Sequence, residues 1–221
     1  MARLVLTPAE RDAVTAAVAA AEAGTDGEIV TIIGERSDAY HDVALHYALL
    51  AVLAVPLASL AWPALLDRAD GWGGDAAGAG TLLRLLVAQA GAFLIVRVAL
   101  AWMPLRLLLT PRATKARRVR RRALQYFRVA AERRTAGREG VLLYLSADEH
   151  VAEIVADRAV HAAVPAERWG EAMAALVDAV RAGRAGDGMV GAVAAIGAIL
   201  AEPFPKSRGN ANELPDRVIE L

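Results

Sequence analysis

Glu35 and Asp38 follow one short apolar run of the chain, and Asp148, Glu149 and His150 follow another far downstream. If the two runs are parallel strands of one sheet, both groups lie beyond its carboxyl ends, where open α/β sheets gather their ligands. The four carboxylates of Glu35, Asp38, Asp148 and Glu149 would then offer hard oxygen donors, which suit Ca2+ or Mg2+ ahead of zinc. A cation held there would activate water, so the same residues define a metal-dependent, phosphatase-type hydrolase as one functional class. Solvated loop acids are the plainer reading. Asp157 and His161, four residues apart, would meet on one helical face, yet two donors do not make a metal site.

Other chemistries are excluded by what the chain lacks. It contains no cysteine, which removes disulfides, thiolate zinc sites, thiol catalysis and iron–sulfur clusters. It has no Gly-rich phosphate loop, no GxSxG elbow, no HExxH and no dinucleotide fingerprint, so acyl transfer and nucleotide hydrolysis have no visible apparatus.

The second candidate surface is basic. A formal net charge of zero conceals a stretch from Arg106 to Glu139 with 12 Lys or Arg against only Glu132 and Glu139. Segregation on this scale signals an anionic partner. Tyr126 and Phe127 among the arginines would fit a nucleic-acid patch, but an apolar segment directly precedes the stretch, which favours anionic lipid headgroups. Arg117, Arg118, Arg120, Arg121 and Arg122 are the expected lipid-surface residues, and no nucleic-acid partner is expected.

These groups must be positioned by a chain of 221 residues that is 56% apolar and 23% charged, a balance that excludes disorder and points to apolar residues concentrated in segments. From Val43 to Leu66 there are 24 residues without a formal charge, about 36 Å as a helix and enough to cross a hydrocarbon core. Pro56 and Pro63 fit a membrane helix better than a soluble one, because neighbouring helices can re-satisfy the freed carbonyls. His41 and His46 border this segment, where an imidazole sits at the interface or handles protons. A second apolar segment, 82–105, is interrupted by Arg84 and Arg97, which snorkel if they lie near its ends. Residues 67–80, with Trp72, make the external turn, and 106–136 makes a basic juxtamembrane helix. Positive flanks stay inside, so both termini are expected in the cytoplasm of a bacterial inner membrane protein. The chain opens on a capped polar helix rather than on the order of a cleavable signal.

Thr7-Pro8-Ala9-Glu10 spells a capping box with proline at the first helical position, and Glu28 to Ile33 is a β-branched run that reads as a buried strand. Gly140–Ser146 and Val151–Ala156 read as a β-hairpin around Ala147-Asp148-Glu149-His150. Val164-Pro165-Ala166-Glu167 opens a helix with Trp169, Met173, Leu176, Val177 and Val180 on one face. Asp187 caps another, too short to span a bilayer. Neither residues 1–39 nor 137–221 alone supply a complete core. Together they make one split α/β domain, interrupted by a two-helix transmembrane hairpin.

This order, with Leu6-Thr7-Pro8-Ala9-Glu10, Gly27-Glu28-Ile29-Val30, Gly140-Val141-Leu142-Leu143-Tyr144-Leu145-Ser146, Val151-Ala152-Glu153-Ile154-Val155-Ala156-Asp157 and Asn212-Glu213-Leu214-Pro215-Asp216-Arg217, resembles the TPM domain family. It is similar to a bacterial branch of membrane proteins in which a hairpin interrupts the domain. The resemblance implies an α/β/α sandwich with a small mixed sheet, and roles ranging from acid phosphatase and calcium binding to accessory subunits of membrane complexes. Arg158-Ala159-Val160-His161 stands where the exported members carry a glycine-rich turn, a departure that weighs against the phosphatase and calcium roles. The expected function is therefore a non-enzymatic accessory or binding module of a membrane complex, partnered by lipids and another membrane protein. Arg84 and Arg97 are candidate partner-facing positions.

Overall fold

A computed structural model of the chain describes residues 6–62, 76–130, 139–165, 167–207 and 214–221. Of the expected external turn at 67–80, residues 67–75 lie outside the described residues, as do Arg133, Arg134, Arg138, Glu132, Ala166, Asn212 and Glu213, and residues 76–80 are helical. The chain divides into two compact units, Met1–Asp38 with Arg112–Leu221, and Ala39–Pro111.

The first unit is built on a four-stranded sheet of order β3-β2-β1-β4, from β1 (Glu28–Gly34), β2 (Gly140–Ser146), β3 (Val151–Ala156) and β4 (Ile219–Glu220). β1 and β2 are parallel over their whole length, Glu28 opposite Gly140 through Gly34 opposite Ser146. β3 returns antiparallel beside β2, and β4 pairs in parallel with β1. The apolar tail thus docks as an edge strand. β1 and β2 are buried along their length, as β-branched and leucine-rich runs should be when both faces are covered.

One face of the sheet presents Ile29, Ile33, Val141, Leu143 and Leu145 to α1 (Pro8–Glu22), α7 (Arg168–Arg181) and α8 (Ala185–Ala201). α1 begins with the full capping box: Glu10 N–H donates to Thr7 Oγ1 at 3.2 Å and Thr7 N–H to the Glu10 carboxylate at 2.7 Å. α1 and α8 approach closely at Gly197, where a Cβ would stand 2.6 Å from that of Ala21. The other face presents Val30, Ile32, Leu142 and Tyr144 to Val119, Ala123 and Phe127 of α5 (Arg112–Ala130). The result is the α/β/α sandwich with a small mixed sheet.

Within the expected basic juxtamembrane helix over 106–136, α5 is the part that packs on the sheet. It starts at Arg112, and its i, i+4, i+8 apolar residues are buried under the sheet. A short helix after β3, α6 (Arg158–Ala163), is an element that sequence periodicity did not reveal, and Asp157 is its N-cap residue.

The second unit holds α2 (His41–Ala61) and α3 (Ala76–Ala99), packed against each other, and the short α4 (Met103–Leu109). α2 and residues Ala79–Ala99 of α3 are each long and apolar enough to cross a membrane. Leu53, Leu60, Ile95 and Val98 on them are 60–79% exposed. α2 ends at Ala61 rather than at Leu66, because Pro63 excludes helical geometry from the residue before it, and Trp62 is its C-cap. The second apolar helix ends at Ala99 rather than at 105, and a separate turn begins at Met103 with Pro104 in its first turn. α3 begins six residues before Leu82, so Arg84 stands about two turns inside it, while Arg97 lies in its last turn.

Arg106 is 4% exposed and ties these ends together: its Nε donates to Leu100 O at 2.7 Å and its Nη1 to Ala39 O at 2.6 Å. A guanidinium at a helix carboxyl end suits the dipole there.

Candidate functional site

Parallel pairing of β1 and β2 delivers the two polar exits to one edge, and the ladder continues past the strands. Ala147 N–H donates to Gly34 O at 2.9 Å, and Asp148 N–H to Glu35 O at 3.0 Å. The hairpin turn closes with His150 at φ 50°, a left-handed conformation, and His150 N–H donating to Ala147 O at 3.2 Å. Gly34 is required here for space: a Cβ would meet the Tyr144 hydroxyl at 2.7 Å.

What this edge assembles is a buried network of Ser37, Tyr144, Ser146 and Glu149. Ser37 Oγ donates to Ser146 Oγ at 2.8 Å, and Ser146 Oγ donates to Glu149 Oε2 at 2.6 Å. Ser37 N–H donates to Glu149 Oε1 at 2.9 Å. With its proton spent on Ser146, Ser37 Oγ is the acceptor in its 3.1 Å bond with the Tyr144 hydroxyl. The strand-end loops are thus tied by both oxygens of one carboxylate. Burial pushes the Tyr144 hydroxyl pKa up, against its hydrogen bonding with Ser37 and Ser146, so the phenol stays protonated and available as a donor.

Three of the four carboxylates of the metal expectation, those of Asp38, Asp148 and Glu149, are turned to different partners. Asp38 Oδ2 accepts Arg118 at 3.2 Å and Arg121 at 3.1 Å. Asp148 faces Arg36 at 3.7 Å, and burial, only partly offset by that arginine, raises its pKa. Glu149 serves the hydroxyl network, and Glu35 N–H donates to Leu221 O at 3.0 Å. Among the described residues no three of His, Cys, Asp and Glu are arranged to hold a metal ion.

The five expected lipid-surface arginines divide. Arg118 reaches Asp38, and Arg122 Nε donates to Ser37 O at 3.1 Å while its guanidinium lies 5.8 Å from the centre of the Tyr126 ring. Arg120 Nη1 binds Glu153 Oε1 at 2.6 Å, and Arg121 shares Asp38. Arg117 Nη2 contacts only its helix neighbour Thr114, at 3.4 Å, among the bonds described. Four of the five thus belong to the edge of the domain. Tyr126 packs edge-on against Tyr144, with centroids 5.4 Å apart, and Phe127 is buried in the same layer.

Asp157 and His161 meet through the main chain: His161 N–H donates to Asp157 O at 2.9 Å, and the Asp157 carboxylate accepts Gly140 N–H at 3.1 Å. His41 is the first residue of α2, and His46 Nδ1 lies 2.6 Å from Asp42 O. Ser37, Tyr144 and Ser146 are the residues that sequence reasoning missed. Tyr144 and Ser146 share a strand face with Leu142, and hydroxyls at the end of an otherwise aliphatic run were the available signal.

Residues 104–199 match the model of the TPM domain. The chain is similar in fold to the NMR structure of BA42 protein from the psychrophilic bacterium Bizionia argentinensis. The TM-score is 0.57 at 17% sequence identity, over 98% of this chain and 95% of that one. No curated protein matches the chain.

Proposed function

We propose, from the match of residues 104–199 to the TPM domain, that the chain is an accessory or binding module of a bacterial inner-membrane complex, non-enzymatic, and held in the membrane by α2 and α3. The observation that carries the reading is the state of the carboxyl edge. Its serines and Glu149 are buried and bonded to one another, and Asp38 and Asp148 face arginines of the same chain. Such bonding stiffens the two loops, as a docking surface needs, and spends the hydroxyls and Glu149 on one another.

The membrane part of the proposal is supported by the exposed leucine, isoleucine and valine side chains of α2 and α3, which water would leave unburied. Both termini lie in the cytoplasm on this reading. Its support is the run Arg112, Lys115 and Arg117 that follows the second apolar helix. These three, at the start of α5, are the groups best placed in sequence to meet anionic headgroups, at about 1 kcal/mol each.

A compartment-sensitive reporter attached at Leu221, and separately within residues 73–80, tests this. The expected result is a cytoplasmic Leu221 and an external loop. An external Leu221 would overturn the compartment. The hydrolase alternative is tested beside it: Ca2+- or Mg2+-dependent turnover of a generic phosphomonoester, abolished by Asp148→Ala, would replace the accessory reading.

A further inference from the structure

β3 lies at the end of the strand order, with no strand beyond it among the described residues. Asp157 N–H donates to Gly140 O, which sets the phase of the antiparallel ladder. By its alternation the main-chain groups of Val151, Glu153 and Val155 turn to β2, and those of Ala152, Ile154 and Ala156 turn to the open edge. This edge is neither bulged nor interrupted by proline, and its residues are only half-buried. It is the floor of a groove of about 420 Å3. α5 forms one wall with Arg120 and Leu124, and α7 forms the other with Trp169, Gly170 and Met173.

We propose that the open edge of β3 is a docking site for an extended, acidic peptide segment of a partner protein, which adds to the sheet as a fifth strand. The proposal rests on the accessory reading above and names the chemistry of its partner. Main-chain pairing supplies the affinity, apolar side chains at alternate positions of the peptide rest against Trp169 and Met173 on the α7 face, and the acidic ones between them turn to the α5 face and Arg120. The acidic character follows from charge. α5 carries no Asp or Glu over Arg112–Ala130, and Arg117, Arg120, Arg121 and Arg128 lie on it within a turn or two of Leu124. The side chain of Arg120 is 66% exposed even while it binds Glu153, and that of Arg121 is 68% exposed. A second copy is the poorer occupant, because two β3 strands paired about a twofold axis would bring two such arginine helices together.

Gly170 gives a clean probe. It is exposed on α7, and a Cβ there would meet nothing within 4 Å, so Gly170→Leu fills the groove while improving helix propensity. Full-length protein in detergent micelles is titrated against a fluorescein-labelled peptide alternating valine and glutamate, read by anisotropy. Controls are the valine–lysine peptide and a valine–glutamate peptide interrupted by proline. Binding of the glutamate peptide is expected, about tenfold or more stronger than of the lysine peptide. Proline interruption and Gly170→Leu should each abolish it. Hydrogen exchange should show new protection at Ala152, Ile154 and Ala156.

Lack of binding, binding insensitive to Gly170→Leu, or equal binding of the lysine peptide would each overturn the proposal. Self-association in analytical ultracentrifugation that Gly170→Leu removes, without peptide binding, would assign the edge to a second copy instead. Failure of the peptide with the protein still running in a larger membrane complex on native gels would leave the accessory reading standing. Loss of that complex as well would remove both.

Discussion

The Gln89 side-chain amide donates to the Val52 carbonyl at 3.2 Å, across the pair α2 and α3. Val52 is four residues before Pro56, whose ring nitrogen has no proton to give it. A side chain of the partner helix therefore supplies the hydrogen bond that the proline removes. The two apolar helices are thus joined at a polar point opposite the proline.

This pairing predicts a context-dependent loss. Gln89→Leu should weaken the helix pair by about 0.6–2 kcal/mol, the range of interhelical hydrogen bonds in membranes. In a Pro56→Ala background the same change should have less effect, since the restored main-chain N–H at that position then donates to Val52 O. A double-mutant cycle by thermal unfolding in micelles measures the difference, and equal losses in both backgrounds would refute the assignment.

Glu22 should make the domain less stable as pH rises. It is buried at the end of α1, accepts the Ile29 N–H at 2.7 Å, and burial with nearby Glu28 and Asp216 raises its pKa from 4.5 to about 7, against Lys206. The folded state then holds a proton that the unfolded chain has released. Stability from this group is full below about pH 4.5 and is lost as pH rises through about 7, by roughly 3 kcal/mol at most. Urea midpoints across that window should fall for the wild type and flatten for Glu22→Gln. Asp148, Glu139 and Glu153, also raised by burial, add to the remaining slope with the same sign.

Glu149→Ala should destabilise the domain by roughly 2–4 kcal/mol, because Ser37 N–H and Ser146 Oγ would both lose their buried acceptor. Glu149→Gln keeps one carbonyl oxygen but turns an amide donor toward a donor, so an intermediate loss is expected. Chemical denaturation monitored by tryptophan fluorescence ranks the three proteins.

Gly34→Ala should lose about 1–3 kcal/mol through its clash with the Tyr144 hydroxyl. Tyr144→Phe in the same protein should return part of it, although the ring carbons remain at 3.2–3.3 Å. A loss unchanged by the second substitution would place the strain elsewhere.

Much of the sheet was legible because its signals are local. β2 and β3 occupy the runs that the polar turn between them indicated, and Thr7 and Glu10 form the capping box that their spacing spelled. The place of α5 against the sheet was harder to read, for an electrostatic reason. Its arginines dominate the composition, while its buried apolar residues, Val119, Ala123 and Phe127 at fourfold spacing, are few and are joined by Tyr126. Charge density drew attention to an outside partner, whereas Asp38, Glu153 and the Ser37 carbonyl within the domain engage Arg118, Arg121, Arg120 and Arg122. The hydroxyl network was illegible because it depends on register: Ser37 meets Ser146 only once Gly34 and Ser146 are opposite each other.

That register has a cost during synthesis. Glu28 pairs with Gly140, so 112 residues must leave the ribosome after β1 begins before its first partner exists. At about 5–20 residues per second the wait is roughly 6–22 s, far longer than the microseconds in which local hairpins form. Ile29, Val30, Ile32 and Ile33 pass this interval unpaired, beside a stretch as apolar as α2. The nascent chain thus presents an adhesive strand well before it can be sheltered by its own partner.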